Sequence, residues 1–482
     1  MQGQSGQQGR LPLTLLVAGT FFMENLDGTI LTTAAPPIAD SLGVESSDVG
    51  VAITAYLLTL AVLIPLSGWL TQRLGARVVF PSAIVIFTLA SVLCALSMNL
   101  PMLVAMRVLQ GVGGAMMVPV GRLTVLRVTE KKDLIKAIAW LTWPALAAPV
   151  VAPLAGGVIV TVLSWHWIFL INVPLGVIAF LAALRLVPRE RLEVPAALDW
   201  RGLLLSCGGL GTLVWLGSLL ASAQPAWPQL VVFGVLGVVL TGLAIWYLSR
   251  AKHPLLDLSS MKVATFRIAH WGGSLFRLAV NAVPFLLPLL FQDSFGWSPV
   301  TSGALVLLVF VGNLAIKPAT TPLLVRFGFR TVLVGSTLGV ALCIAGVALL
   351  GATTPVAIIA ALLLVGGAMR SIGFTAYNTI AFADIAPGHM TSANTLSSTV
   401  QQVAAGFGVT VGAVALRAGQ LVDAAPAAVT PYRIAFIAIA LLTLVAVVEA
   451  LLIDRSVGEN IRPDRRLSKR QDARTARQVP AE

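Results

Sequence analysis

The sequence predicts an all-α polytopic membrane protein with about fourteen transmembrane helices. Hydrophobic residues make up 57% of the 482 residues, charged residues make up only 11%, and the mean hydropathy is +0.91. Soluble domains carry roughly 25% charged residues. The apolar residues are gathered in runs of about 20, the length at which a helix crosses the hydrocarbon core with its backbone polar groups satisfied. We therefore expect the chain to reside in a lipid bilayer.

The predicted helices follow one another with short polar connections. Each is an apolar run of about 20 residues, and Cys94, Cys207 and Cys343 lie inside such runs as small apolar side chains. The predicted spans lie near 12–33, 48–70, 78–97, 102–126, 136–161, 166–187, 201–221, 228–248, 269–292, 299–324, 331–350, 355–381, 391–416 and 431–453.

Basic residues are distributed unevenly between the two sides of this bundle. When the N-terminus is placed in the cytoplasm, most of the 32 Lys and Arg residues fall in cytoplasmic connections or in the tail at 455–482. The positive-inside rule then predicts a multi-pass protein of the bacterial cytoplasmic (inner) membrane with both termini in the cytoplasm. These connections account for the formal net charge of +12, so nucleic acid is not expected as a partner.

The sequence contains an internal repeat. The pentapeptide Val-Gly-Gly-Ala-Met occurs at 112–116 and again at 365–369, and the basic stretch at 70–77 has a counterpart at 323–330 in the same register. Two six-helix bundles with two inserted helices between them are therefore predicted. The expected domains are a cytoplasmic N-terminus at 1–11, a first bundle at 12–187, a linker with the two additional helices at 188–262, a second bundle at 263–454 and a basic cytoplasmic tail at 455–482.

The first span carries two acidic residues, Glu24 and Asp27. An ionisable side chain costs about 2.5–3.5 kcal/mol on insertion into a membrane and needs a reason to be there. The spacing places both carboxylates on one face of the helix, where repulsion and desolvation favour binding of a proton. We expect proton coupling at Asp27 first and Glu24 second. Alternatively, Asp27 bonds backbone or Thr29, and Glu24 faces an aqueous vestibule.

The fourth span contributes a fixed positive charge, Arg107, because a guanidinium does not deprotonate in practice. Arg107 could hold a carboxylate or modulate the release of a proton, or it could simply pair with a carbonyl or an acid in helix packing. Gln110, one turn further on, is a candidate contact of a substrate cavity, although helix–helix hydrogen bonding is the commoner role of such residues.

The fifth span is expected to bend. Pro149 and Pro153, with Pro144 before them, remove backbone donors, while Gly156 and Gly157 allow another helix to approach closely. Together these residues predict a hinge and a packing seam between the two halves.

The second half places mainly basic residues in the membrane. Arg277, Lys317 and Arg370 oppose the acidic pair of the first span, and Glu449 is the exception. A cavity with this polarity would suit a zwitterion or an organic anion better than a lipophilic cation. The candidate residues of the substrate cavity are Gln110, Arg277, Asn281, Arg370, Tyr377 and Asn378.

Five stretches resemble motifs of the fourteen-span drug:proton antiporter branch of the major facilitator superfamily. Singly these motifs are weak, but their order and spacing hold over nearly the whole chain. The stretch at 26–36 resembles L-D-x-T-I-V-N-x-A-L-P, 68–77 resembles the loop motif G-x-L-A-D-R-x-G-R-K, 107–115 resembles R-x-x-Q-G-x-G-A-A, 148–157 resembles the antiporter motif G-x-x-x-G-P-x-x-G-G, and 392–408 resembles the pattern of the thirteenth helix.

The loop motif implies a conformational role for Gly68, Gln72, Arg73, Gly75 and Arg77. The acidic position of the motif is Gln72 in this chain. In the family that acid is thought to help lock one conformation. The acid is replaced by Gln72 in the first copy of the motif and by a valine in the second copy, so the balance between inward and outward states is left open.

The resemblance implies the major facilitator fold and proton-coupled efflux of drugs or other small molecules by alternating access. In the family, Arg107 would take part in the proton relay. The proton gradient would drive transport without a cofactor or a metal ion. The expected partners are protons, a small-molecule substrate and the lipid bilayer, and the protein is expected to be monomeric.

Other functions remain open at this point. The substrate could be a dedicated endogenous metabolite, anionic or zwitterionic, rather than a drug. A channel would not need paired six-span halves with a buried acid pair, and a membrane sensor should carry a folded soluble domain, for which no loop is long enough. An enzyme is not expected, because the sequence shows no nucleophile–base pair, metal cluster or phosphate-binding loop.

Overall fold

The computed structural model describes residues 10–128, 134–188, 198–221, 227–251, 254–386, 389–423, 425 and 427–452. The predicted segments at 1–11 and 455–482 therefore lie almost wholly outside the described residues. Each predicted span coincides with a helix. The helices are α1 Arg10–Leu42, α2 Gly50–Leu74, α3 Ala76–Ala95, α4 Leu100–Val128, α5 Leu134–Val162, α6 Asn172–Leu186, α7 Trp200–Ala221, α8 Trp227–Leu248, α9 Ala264–Leu289, α10 Pro299–Ala315, α11 Phe329–Ala348, α12 Val356–Ala381, α13 Met390–Gln420 and α14 Thr430–Leu452.

Short segments extend three of these helices. The turn Trp167–Leu170 leads into α6, and a 3₁₀ turn at Leu258–Lys262 precedes α9. Five residues of π-helix, Leu290–Ser294, continue α9, and the helix Lys317–Phe327 continues α10 beyond a sharp bend.

The helices are long and apolar enough for a polytopic membrane protein. Within the described residues, ten helices pass a test of length and composition for membrane crossing, and α10 with its continuation makes an eleventh. The all-α polytopic class is confirmed, and the number of fourteen crossings stays a prediction.

Helix α1 is longer than predicted. The expected span ends at 33, whereas the helix runs on through Pro36 and Pro37 to Leu42. Each proline removes a backbone donor and should weaken the helix. Dense packing compensates for this loss, because Ala35, Ile38 and Ala39 beside the prolines are almost fully buried.

The first half, α1–α6, and the second half, α9–α14, pack in the same pattern. Helix α1 lies against α5 as α9 lies against α13, and α3 lies against α4 as α11 lies against α12. Gly75 and Gly328, which are equivalent in the sequence repeat, have φ angles of 79° and 81°. Both glycines donate their N–H to the carbonyl four residues earlier. The sequence repeat is therefore also a repeat of the backbone.

Three helix pairs form the main contacts between the two halves: α5 with α10, α2 with α13, and α1 with α9. The inserted pair attaches at one of these seams, since α7 contacts both α2 and α13 while α8 packs mainly on α7. We call the end of the bundle where α1 begins the terminal face, and the end that holds the α1–α2 connection the distal face.

Candidate functional site

Two adjoining cavities lie between the halves. The large cavity, about 690 Å³, is lined by the second halves of α2 and α4 and by the first turns of α13, all toward the terminal face. The small cavity, about 230 Å³, lies deeper in the bundle. Glu24 and Gln402 line both cavities. A path therefore leads from the terminal face to the centre of the bundle.

The halves touch each other between the small cavity and the distal face. The hydroxyl of Thr54 on α2 donates a hydrogen bond of 3.2 Å to the carbonyl of Gly406 on α13. Further out, the Arg417 guanidinium lies 3.7 Å from a carboxylate oxygen of Glu45. The bundle is thus open toward the terminal face and closed toward the distal face.

Asp27 on α1 is 2% exposed and is held by side chains of two other helices, α4 and α6. Its Oδ2 forms an ion pair of 2.5 Å with Arg107. Its Oδ1 accepts hydrogen bonds from Gln110 at 2.9 Å and from Asn172 at 2.8 Å, and both amides also donate to Ser91 Oγ. We call these five residues the carboxylate cluster. Gln110, predicted for the substrate cavity, lies in this cluster and not in a cavity wall.

Arg107 is fully buried and has further partners. Its Cζ lies 4.1 Å from the centre of the Tyr56 ring and 5.9 Å from that of Phe169, a cation–π arrangement. Its Nε and Nη2 have no hydrogen-bond partner among the described residues. Loss of the Asp27 charge would leave this guanidinium uncompensated, and breaking a buried pair in this way costs about 3–5 kcal/mol.

Glu24 has a different environment although it lies one turn from Asp27 on α1. It is only partly buried, and its Oε2 has no hydrogen-bond partner within the described part of the chain. Gly114 on α4 lies beside it, because a Cβ at Gly114 would be in van der Waals contact with Glu24 Oε2 at 3.6 Å. The structure therefore separates the predicted acidic pair into one sealed carboxylate and one that faces the cavities.

Arg370 on α12 lines the small cavity from the second half, as does Asn281 on α9. Its Nη1 donates to the carbonyl of Val280 at 3.2 Å, and its Nε has no partner among the described residues. Its Cζ lies 5.6 Å from the ring centre of Phe310 and 5.4 Å from that of Phe374. The ion pairs found in the described ranges involve other arginines, so Arg370 presents an unneutralised charge to the cavity.

The other predicted cavity residues of the second half lie in its interior. Arg277 is 2% exposed, and it donates to Asn378 Oδ1 at 2.7 Å and to the carbonyl of Ala269 at 3.4 Å. Tyr377 is 1% exposed, with its ring centre 5.4 Å from that of Phe276. Neither Arg277, Tyr377 nor Asn378 lines the large or the small cavity in this conformation.

The seam between α5 and α10 is a contact of backbone against backbone. A Cβ at Gly157 would overlap the carbonyl oxygen of Pro299, and a Cβ at Gly303 would overlap the carbonyl oxygen of Pro153. The two contacts are reciprocal, since each helix places a glycine against a proline carbonyl of the other. Pro153 and Gly157 thus lie at the contact between α5 and α10.

The remaining α5 residues of the predicted hinge have other neighbours. Gly156 faces α1, where a Cβ would lie 2.9 Å from Ile30 Cγ1, and Pro149 lines the small cavity. The helix is continuous through Pro144, Pro149 and Pro153. The hinge motion itself stays a prediction.

The loop motif forms the turn between α2 and α3 at the terminal face. Gly68 is exposed and lines the large cavity, and Gly75 makes the turn. The guanidinium of Arg73 lies 5.2 Å from the centre of a tryptophan ring, and Arg77 donates to a carbonyl of α6 at 3.5 Å. The side chain of Gln72 lies outside the part of the chain that is described.

Sequence reasoning did not identify Asn172, Ser91 or Tyr56 as parts of the Asp27 environment. Asn172 carries a usable signal, because an amide inside an apolar span needs a hydrogen-bond partner. Serine carries little signal, since its hydroxyl can bond a carbonyl of its own helix, and tyrosine is a common residue of membrane helices near the interface. At the register of the repeat, Glu24 corresponds to Arg277 and Asp27 to Val280, so the halves share a backbone but not a charge.

Comparison with known sequences agrees with this architecture. A family model for the Major Facilitator Superfamily matches residues 17–409 and again 269–480. The chain is 36% identical over 408 residues to the "Putative multidrug resistance protein MdtD" of Klebsiella pneumoniae subsp. pneumoniae, covering 83% of this chain and 85% of that protein. It is 36% identical over 407 residues to the protein of the same name from Escherichia coli O6:H1, with the same coverage of 83% and 85%.

Comparison with solved structures gives the same fold. The nucleoside transporter NupG superposes with a TM-score of 0.66 at 14% identity over 92% of this chain and 99% of that one. A bacterial homologue of the human lysosomal transporter Spinster, in an inward-facing and unoccupied conformation, superposes with a TM-score of 0.64 at 14% identity over 94% and 98%. Fold, family match and relatives lead to one conclusion: this chain belongs to the major facilitator superfamily and is a membrane transporter, not an enzyme.

Proposed function

We propose that this chain is a proton-coupled exporter that carries small molecules across the bacterial cytoplasmic membrane by alternating access. The arrangement of the two carboxylates on α1 supports this most directly: Asp27 is sealed against Arg107, and Glu24 faces the cavities. A path between two repeated halves, open at one face and closed at the other, supports alternating access. The path lies within one chain, which supports a monomer.

The basic connections support a cytoplasmic position for the terminal face and for both chain ends. The large cavity then opens to the cytoplasm, and the contact between the halves closes the bundle toward the outside. A substrate would enter from the cytoplasm, and rocking of the halves would release it on the other side.

In this mechanism, Asp27 and Arg107 form the proton-sensitive pair. A proton on Asp27 removes the partner of a buried guanidinium, at a cost of about 3–5 kcal/mol. Complete inversion of a two-state equilibrium requires about 5.5 kcal/mol, so one proton supplies much of the bias between the two states. Glu24, one turn away in the wall of the large cavity, would exchange protons with cavity water.

Two substrate classes have support. The relatives named as multidrug resistance proteins support export of drugs or other small molecules. A dedicated endogenous metabolite, anionic or zwitterionic, is favoured by the unneutralised Arg370 in the wall of the small cavity. Membership of a transporter family leaves a channel or a sensor without comparable support.

Transport by proteoliposomes under an imposed pH gradient tests the proposal. The assay compares cationic dyes with organic anions and amino acids. Asp27→Asn should abolish movement driven by the gradient and preserve exchange without a gradient. Asp40→Asn, which neutralises an exposed carboxylate of the same helix, is the matched control and should behave as wild type. Undiminished gradient-driven transport by Asp27→Asn would remove Asp27 from coupling.

A further inference from the structure

Two opposite charges face the small cavity without pairing. Glu24 comes from α1 and Arg370 from α12, so one wall is acidic and the opposite wall is basic. No ion pair joins them in the described residues. Their charged atoms are therefore farther apart than the about 4 Å of an ion pair.

Each of the two groups has a buried polar atom that is left without a hydrogen-bond partner among the described residues beside the small cavity. Arg370 Nε and Glu24 Oε2 both lack partners within the described part of the chain. The carbonyl and the two rings near Arg370 compensate its charge only in part. A proton can neutralise Glu24, whereas a guanidinium stays charged, so Arg370 requires an anionic group from elsewhere.

The space between the charges suits a small molecule with an apolar middle. The small cavity alone has a volume of about 230 Å³, below the roughly 300–1,000 Å³ of pockets for drug-sized ligands, and it adjoins the large cavity at Glu24 and Gln402. Apolar side chains and carboxamides also line the small cavity, among them Ile53, Leu57, Asn25, Asn281 and Gln402.

We infer that the substrate is a small zwitterion whose anionic group binds Arg370 and whose cationic group binds Glu24. A pure anion would leave Glu24 without a partner, and a pure cation would be repelled by Arg370, whereas a zwitterion satisfies both. A proton on Glu24 removes the partner of the cationic group, so proton and substrate compete at one carboxylate. The inference rests on the proposed function and names the substrate class of the same cavity.

Binding to the purified protein in detergent tests the inference. The probes are γ-aminobutyrate, ε-aminocaproate and ω-aminocaprylate, each compared with the amine and the carboxylate of the same chain length. For at least one length, the shift of the unfolding temperature should show that the amino acid binds about tenfold or more tightly than either single ion. Absence of such a preference at every length, or stronger binding of the amines, would overturn the inference.

Substitutions test which of the two residues binds the anionic group of the ligand and which binds the cationic group. Arg370→Gln should weaken binding of the amino acid and the carboxylate roughly 30-fold and leave the amine unweakened, and Glu24→Gln should do the reverse. Arg370→Lys keeps the charge and should retain most of the preference, so it carries the test if Arg370→Gln does not fold. Arg122→Gln removes an exposed arginine of the large cavity and is the matched control. An equal loss in this control would indicate a general field effect and contradict the inference.

The two proposals fail separately. Binding in detergent needs no proton gradient, so zwitterion binding without gradient-driven transport would contradict the proposed coupling and leave the substrate class standing. The converse result is gradient-driven transport of cationic dyes that Arg370→Gln does not alter, without any preference for zwitterions in binding. This result would contradict the inferred substrate class and leave the proposed coupling standing.

Discussion

Replacing Gly157 with alanine should open the distal face of the transporter. The Cβ would overlap the carbonyl oxygen of Pro299, which belongs to the backbone and cannot turn aside as the end of a side chain can. Helices α5 and α10 therefore have to separate. Because these helices belong to different halves, the separation is a movement of one half away from the other.

The size of the effect follows from the contact. Overpacking of a close contact costs about 1–3 kcal/mol, and the contact is lost when the distal face opens. The ratio of closed to open molecules should fall about 5–150-fold. Gly303→Ala strains the same seam from the other helix through Pro153 and should have a similar effect. The free-energy effect of the double variant should be smaller than the sum of the two single effects, because the first substitution already separates the helices.

Distances between spin labels on the distal face measure this shift. Met98 in the first half and Leu349 in the second are 86% and 80% exposed, and both follow helices that end at that face. Cysteines at these positions, in a chain freed of its own cysteines, should show a larger long-distance population in Gly157→Ala. Gly19→Ala is the control, since no atom lies within 4 Å of its Cβ. An unchanged distribution, or an equal change in the control, would refute the reasoning.

Three further predictions concern stability and closure. Asn172→Leu removes one donor from the carboxylate cluster and should cost about 1–3 kcal/mol in unfolding free energy; unaltered denaturation in detergent would contradict the hydrogen bonds described. Gly75→Ala and Gly328→Ala force alanine into a positive φ, so each should cost about 1–3 kcal/mol; clearly unequal losses of thermal stability would argue against equivalent turns. Arg417→Gln breaks a partly exposed pair with Glu45, so it should shift the equilibrium between closed and open distal faces by less than about 1 kcal/mol, and by less at high salt. A change in the distance distribution as large as that of Gly157→Ala would show the pair to be a principal closure contact.

Much of the fold can be predicted from composition and from the lengths of the apolar runs. Each predicted span coincides with a helix, because a segment in lipid has to satisfy its backbone polar groups internally. The end of α1 could not be predicted in this way. Pro36 and Pro37 suggest a break, and only the packing of the neighbouring helices keeps the helix intact to Leu42.

The candidate site could be predicted only as a set of unusual residues. Asp27 and Arg107 stand out because charges are costly in a membrane, but their pairing depends on how α1 and α4 are rotated, which the sequence does not encode locally. For the same reason, polarity does not separate Arg370, in a cavity wall, from Arg277, in the interior of its half. A single polar residue in an apolar helix can face the substrate path or a neighbouring helix, and its orientation depends on tertiary packing.

The inserted helices make the proposed rocking motion a motion of three parts. Helix α7 touches both α2 and α13, and at Gly217 it lies directly against Thr410. When the halves rotate relative to each other, α7 cannot keep both contacts and has to slide along at least one of them. Among the described helices, neither inserted helix joins the α5–α10 edge in this way, so the two flanks of the rotating bundle meet unequal resistance. A bulkier residue at Gly217 would change the cycling speed although Gly217 lines neither the large nor the small cavity.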